Sequence, residues 1–178
     1  KARRKPCRVV FPEGSESKIL RAAQILLDEN IAYPVLIGPR GAIEQRVREL
    51  HLDIPGAKIV DPADCPSTDA YIGELYHLRQ RKGITRNEAE TLRHNPTLFA
   101  AMMLHCGDAD ALIAGLTQHY PDTIRPALQV IPLIAGRRRV AGMYMLITKS
   151  GDVYFLADAT VNITAAHQSH THPSCDFA

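Results

Sequence analysis

Short apolar runs, each stopped by a glycine or proline turn and followed by an amphipathic stretch, recur through the first two thirds of this chain. Each run is too short for a helix, and each amphipathic stretch needs a surface on which to bury its stripe. That alternation points to an α/β sandwich. Arg8-Val-Val-Phe11 ends in Pro12-Glu-Gly14 and reads as a buried strand entering a turn. Ser15 is placed to cap a helix to about Asn30, whose Ile19, Ala22, Ala23, Leu26 and Leu27 recur at three and four residues. Tyr33–Ile37 is a second strand, with Pro34 near its start. A helix follows with Ile43, Val47 and Leu50 on one face, and Lys58–Val60 is a third, shorter strand.

Further on, Thr68 to about Arg81 reads as a helix ended by Gly83, and Arg86 to Cys106 as a helical region broken near Asn95-Pro96. Its second part, Thr97 to His105, is apolar on most sides, which suits a helix buried between layers. Asp110–Ala114 is the next strand. Thr123 to Ile134 reads as a helix with Pro126 in its first turn, where proline is tolerated. Val140–Thr148 and Val153–Leu156 flank Lys149-Ser-Gly-Asp152, a hairpin signal. The expected fold class is therefore an α/β three-layer sandwich whose sheet is mostly parallel and partly mixed. Residues 1–163 carry this pattern. Residues 164–178 show neither period and read as a tail, expected to be disordered.

Composition narrows the function classes. Of 178 residues, 46% are hydrophobic, enough for a sizeable core, and a formal charge of +2 is too balanced for a dedicated nucleic-acid binder. No apolar run is long enough to cross a bilayer, and the basic Lys1–Arg8 lead is followed by no signal-like apolar core. Cys7, Cys65, Cys106 and Cys175 are scattered, which fits reduced thiols and a cytoplasmic protein.

Ligands of open α/β sheets bind beyond the carboxyl ends of the strands, so the residues that follow strands are the candidates. Gly115 can turn the backbone sharply, Thr117 and Thr123 supply hydroxyls, and a helix start after them would offer free N–H groups to an anion. Arg125 in a first helical turn would oppose the macrodipole unless an anionic ligand were shared with it, and a solvated arginine beside an ordinary cap is the alternative. Asp158 follows the last strand, with Asn162 four residues on. Such an aspartate can act on a proton or orient a hydroxyl, or simply form a turn. Glu13, after the first strand, is a weaker candidate on the same argument. His119 could serve as a base near Thr117, but no nucleophile stands at a triad spacing. His167, His170 and His172 have a ligand-like spacing in the tail, yet no native metal site is expected, and no nucleotide-binding glycine fingerprint occurs.

Taken jointly, Arg8-Val-Val-Phe-Pro-Glu-Gly14, Gly107-Asp-Ala-Asp-Ala-Leu-Ile-Ala-Gly115, Thr123-Ile-Arg-Pro-Ala-Leu-Gln-Val-Ile131 and Phe155-Leu-Ala-Asp-Ala-Thr-Val-Asn162 resemble the phosphate acetyl/butyryltransferase (phosphotransacetylase) family over residues 3 to 163. The resemblance implies the first part of an isocitrate/isopropylmalate dehydrogenase-like fold. It also implies an acyl exchange between coenzyme A and inorganic phosphate, with no cofactor or metal in this domain. Glu13, Thr117, Thr123 and Arg125 would then bind phosphate or acyl-CoA, with Asp158 and Asn162 catalytic. More narrowly, the Lys1-Ala-Arg-Arg-Lys-Pro lead, Leu75-Tyr-His-Leu-Arg-Gln-Arg-Lys-Gly83 and Ala100-Ala-Met-Met103 are similar to the domain at the C-terminus of NADP-dependent malic enzymes. There the domain is understood as an acetyl-CoA-sensing and oligomerising module, and NADP and a divalent metal belong to the malic-enzyme domain upstream. The expected role is this regulatory one, with phosphate acetyltransferase activity as the alternative.

Two departures from the family shape the expectation. Active transferases carry a His-Ser/Thr-Thr/Ser-Ala-Asp-like stretch before the Arg-Pro, where this chain has Gln118-His-Tyr-Pro-Asp122. The family domain is also about twice as long, so the second wall of the cleft is expected to be missing and the chain alone inactive. Partners expected are acyl-CoA, phosphate and further copies in a homo-oligomer, with neither nucleic acid nor membrane.

Overall fold

The computed structural model describes residues 2–133, 140 and 142–157. The chain divides into two compact units, Lys1–Pro132 and Leu133–Ala178. The first unit is built on four parallel strands, β1 (Cys7–Phe11), β2 (Ala32–Ile37), β3 (Lys58–Val60) and β4 (Ala111–Leu112), in the order β3-β2-β1-β4. Val10 faces Val35 on one side and Leu112 on the other, so β1 is central.

Alternation along the two central strands sorts the side chains into two cores, as the pleat requires. Val9, Phe11, Ala32 and Leu36 pack on one face with Leu20 and Ala23 of α1 (Ser17–Asp28) and Ile43 of α2 (Arg40–Glu49). Val10, Val35, Ile37 and Val60 pack on the other face. Against them lie Tyr71, Ile72 and Leu75 of α3 (Thr68–Arg79), Ala89 of α4 (Arg86–Glu90), Phe99 and Met102 of α5 (Pro96–His105) and Val130 of α6 (Tyr120–Val130). Helices therefore cover both faces of a parallel sheet, the three-layer arrangement that unbroken apolar strands demand. Helix α5 is buried from Thr97 to Met103, as its all-round apolar surface led us to expect.

The second unit contributes an antiparallel hairpin of β5 (Met143–Ile147) and β6 (Val153–Ala157), with Met145 opposite Phe155. It forms its own two-stranded sheet, so the antiparallel character lies outside the parallel sheet.

Helix starts differ from expectation at three places. The α1 cap position is Glu16 and not Ser15, because Glu13 O accepts from Glu16 N and the turn after β1 runs one residue further. The region from Arg86 breaks into α4, a 3-10 turn over Thr91–His94, and α5. Asn95 caps α5 by accepting from Leu98 N at 3.0 Å, and Pro96 occupies the first helical position. Helix α6 starts at Tyr120, not Thr123. Pro121 lies in its first turn, and Pro126 lies inside the helix.

Candidate functional site

Strands β2 and β3 lie on one side of β1 and β4 on the other. The order of strand addition therefore reverses between β1 and β4, where open α/β sheets place their ligands. Two loops leave the carboxyl ends of these strands, Pro12-Glu-Gly14 after β1 and Ile113 to His119 after β4. Gly14 N donates to Ile37 O at 3.1 Å, and a Cβ on Gly14 would sit 2.7 Å from that oxygen, so only glycine lets the turn pass so close to β2. Gly115 has φ +101° and faces the Thr123 side chain, so it supplies the left-handed turn that leads toward α6.

Glu13 joins the two loops. Its carboxylate accepts from Leu116 N at 3.0 Å, from Thr117 N at 2.6 Å and from Thr117 Oγ1 at 2.7 Å. Burial by itself pushes the Glu13 carboxyl up, but the Thr117 hydroxyl and the loop N–H groups outweigh it and hold the group below its ordinary value. Glu13 is thus a charged clamp that fixes the loop after β4. The Thr117 donors point at Glu13, which leaves the hydroxyl oxygen of Thr117 as an acceptor.

The start of α6 changes the meaning of Arg125. Expected in a first turn, it lies in the second, where the macrodipole no longer opposes it. The N–H groups of Asp122 and Thr123 donate to His119 O at 3.0 and 3.1 Å, Pro121 has none, and the Asp122 carboxylate occupies the first turn. The helix end is therefore largely satisfied. Thr123 Oγ1 likewise reaches His119 O at 3.3 Å. The positive charge available to a ligand is the Arg125 guanidinium, which has no hydrogen-bond or ion-pair partner among the described residues.

Arg125 lines a cleft of about 370 Å³ with His94, Asn95, Pro96, Gln118, Asp122, Pro126 and Gln129. The start of α5 makes one wall and α6 the other. Gln118 is held from α5: the hydroxyl of Thr97, buried at 1% exposure, donates to Gln118 Oε1 at 3.0 Å. A single guanidinium, a carboxylate and several amides suit recognition of an oxygen-rich group more than of an apolar one. The α5 residues were missed from the sequence because an apolar helix gives no reason to look for a ligand wall at its first turn. The one available signal was Asn95-Pro96, which marks a helix start.

Asp158 and Asn162 lie outside the described residues, as do the tail histidines. Of the predicted site residues, Glu13 and Thr117 are brought into direct contact. Thr123 lies behind Gly115, and Arg125 faces the cleft. Cys7, Cys65 and Cys106 are free thiols, and no cluster of three or more metal-ligating side chains occurs among the described residues. A second, more open cavity of about 540 Å³ is lined by Tyr71, Glu74, His105, Cys106 and Asp108. Its polar groups satisfy one another: Tyr71 OH donates to Asp108, and His105 Nε2 stands 3.3 Å from Glu74 Oε1. Burial pushes the Cys106 thiol up, away from the reactive thiolate. No helix among the described residues is long and apolar enough to cross a membrane.

The chain is 36% identical over 162 residues to a phosphate acetyltransferase of Nitratidesulfovibrio vulgaris, which covers 91% of this chain and 23% of that protein. It is 35% identical over 165 residues to the NADP-dependent malic enzyme of Escherichia coli, covering 90% and 22%. A crystal structure of a phosphotransacetylase from Streptococcus pyogenes superposes with a TM-score of 0.81 at 26% identity, covering 90% of this chain and 49% of that one. The chain thus spans about half the length of that solved relative and about a quarter of the two curated ones. The model of the phosphate acetyl/butaryl transferase family matches residues 1–169, almost the whole sequence. The chain belongs to the phosphate acetyl/butaryl transferase family.

Proposed function

We propose that, within its whole protein, this domain exchanges an acetyl group between coenzyme A and inorganic phosphate. The observation that carries this reading is Arg125: a guanidinium on a polar cleft, without a partner among the described residues, next to a loop clamped by Glu13, in a family of phosphate acyltransferases. A guanidinium matches two oxygens of a phosphoryl group and keeps its charge at every working pH. In the exchange, a base takes the CoA thiol proton, and the thiolate attacks the carbonyl of acetyl phosphate. The C–S bond forms, the C–O bond to phosphorus breaks, and phosphate leaves with the electron pair. Arg125 stabilises the phosphate in either direction, with Thr123 in the first turn of the same helix and Thr117 on the loop before it. Asp158 is the proposed base and Asn162 its polar neighbour, both resting on the Phe155–Asn162 motif. CoA, acetyl-CoA and phosphate are ligands, and the reaction needs no resident cofactor. The free cysteines agree with a cytoplasmic setting.

The test is acetyl phosphate formation by the full-length protein that contains this domain. Turnover that is lost in Arg125→Ala supports the reading, and absence of turnover with acetyl- and butyryl-CoA overturns it. The similarity to the malic enzyme supports a second reading, in which the domain senses acetyl-CoA and assembles the oligomer without catalysing the exchange. An acetyl-CoA titration of NADP-dependent malate oxidation by the whole protein tests it, and an unchanged rate with unchanged oligomer size removes it.

A further inference from the structure

Three consecutive residues after β4 are held from two different elements. Glu13, in the turn after β1, takes the N–H groups of Leu116 and Thr117 and the hydroxyl of Thr117. Thr97, in the first turn of α5, takes the side chain of Gln118. Thr97 is the second residue of α5, so no carbonyl of its own helix lies four residues earlier to take its hydroxyl. Thr97 is buried at 1% exposure and instead reaches across 21 residues of sequence to Gln118 Oε1. With the amide oxygen engaged, the two N–H bonds of Gln118 Nε2 are the polar hydrogens this side chain has left for the cleft it lines with Arg125.

We propose that Thr97 and Gln118 act as a pair that sets the polarity of this cleft, Thr97 as a positioning residue and Gln118 as a neutral donor to a phosphoryl or carbonyl oxygen of the ligand. The argument rests on the phosphate-transfer reading of the site given above. Arg125 and Asp122 line the same cleft with opposite charges, so their fields partly cancel, and a fixed neutral donor adds selectivity for acceptor oxygens without a further charge. A free glutamine could turn its amide over and present its oxygen. With its oxygen on the Thr97 hydroxyl the amide is held in one place with Nε2 turned away from Thr97, which lowers the entropy lost when a mobile donor is ordered.

The experiment measures equilibrium binding of acetyl phosphate and of inorganic phosphate to the full-length protein and five variants: Thr97→Ser, Thr97→Val, Gln118→Met, Gln118→Glu and Thr97→Val with Gln118→Met. Gln118→Glu should weaken both ligands by about tenfold or more, because an acceptor and a second negative charge replace the donor. Gln118→Met and Thr97→Val should each cost about three- to tenfold, and the double variant should be no worse than either single one. Thr97→Ser should bind within about twofold of the parent, because it keeps the hydroxyl. Effects that multiply in the double variant, or binding by Gln118→Glu equal to the parent, would overturn the pair. So would equal damage in Thr97→Ser and Thr97→Val. A parent that binds neither ligand would instead sink the phosphate-transfer reading, and this inference with it. Full binding by the parent and all five variants would sink the pair alone.

Discussion

The Glu13 carboxylate holds Thr117 twice, accepting from its backbone N–H at 2.6 Å and from its hydroxyl at 2.7 Å, across 104 residues of sequence. The contact spans the gap between the ends of β1 and β4, so the geometry of the cleft depends on one ionised group. Glu13→Gln puts an amide N–H where the loop also offers donors. A loss of about 1–2 kcal/mol is expected, measured by urea unfolding of the full-length protein. The sign of its pH dependence follows from a carboxyl held below its ordinary value. The clamp is fully present above the unfolded carboxyl range and is lost as pH falls through the lowered folded value.

Arg125 is exposed and has no hydrogen-bond or ion-pair partner among the described residues. Arg125→Ala should therefore leave the melting temperature within about 1–2 °C and lower kcat/KM for phosphate by about a hundredfold or more. Arg125→Lys, which keeps a charge but loses the planar fork, should fall between. Steady-state acetyl phosphate synthesis at several phosphate concentrations checks both.

Gly14 gives a prediction about stability alone. A methyl group at this position meets the backbone of Ile37, which cannot move without disturbing β2. Gly14→Ala should cost about 2–3 kcal/mol by chemical denaturation. An alanine variant as stable as the parent would show that the turn after β1 shifts freely.

At the other end of the sheet, Arg8 pairs with Asp110 through two guanidinium hydrogen bonds of 3.0 and 2.8 Å, and Arg8 N also donates to the Asp110 carboxylate at 2.7 Å. These bonds hold the Asp110 carboxyl down at about 2. A lowered folded value means that the stabilisation is complete above the unfolded aspartate range near pH 4 and disappears as pH falls toward 2. The melting-temperature gap between the parent and Asp110→Asn should thus be flat above pH 5 and close between pH 4 and 2.

The hairpin of β5 and β6 exposes apolar side chains on both faces, with Met145 and Phe155 each 61% exposed on one and Leu146 and Leu156 each 54% exposed on the other. A patch of this kind drives association. The 178-residue chain should sediment as concentration-dependent oligomers, and a double variant with Met145→Lys and Phe155→Lys should shift it toward the monomer.

Strand-and-helix alternation was readable because both periods are short, so the two central strands and the buried α5 declared themselves from local residues. The start of α6 did not. Tyr120-Pro121 reads as a turn from either direction, and only the folded chain shows His119 O gathering the N–H groups of Asp122 and Thr123. Strand β4 is likewise shorter than its apolar run: Ala111 and Leu112 are the residues in register with β1, while Asp110 N and Ile113 N donate to Arg8 O and Val10 O on either side and Ala114 stands beyond them. For the site, Gly115 and Arg125 were visible as a turn former and a cation. Thr97 and Gln118 were not, since a hydroxyl in an apolar helix and an amide in a loop acquire meaning only when tertiary packing brings them together. Glu13 was noticed for the right position, while its task is to grip the neighbouring loop.

The pairing of Val9 with Ala111 closes a loop of about a hundred residues, whereas β1 with β2 and the helices assemble from near neighbours. Such long closures come late, because their entropy must be overcome before any contact offsets it. The cleft beside β4 should therefore be among the last parts of the first unit to form. During synthesis it cannot exist until the ribosome has released the loop after β4, by which time the partners of β1 on its other edge have long been available. Ligand binding at Arg125 would then double as a report that folding of this unit is complete.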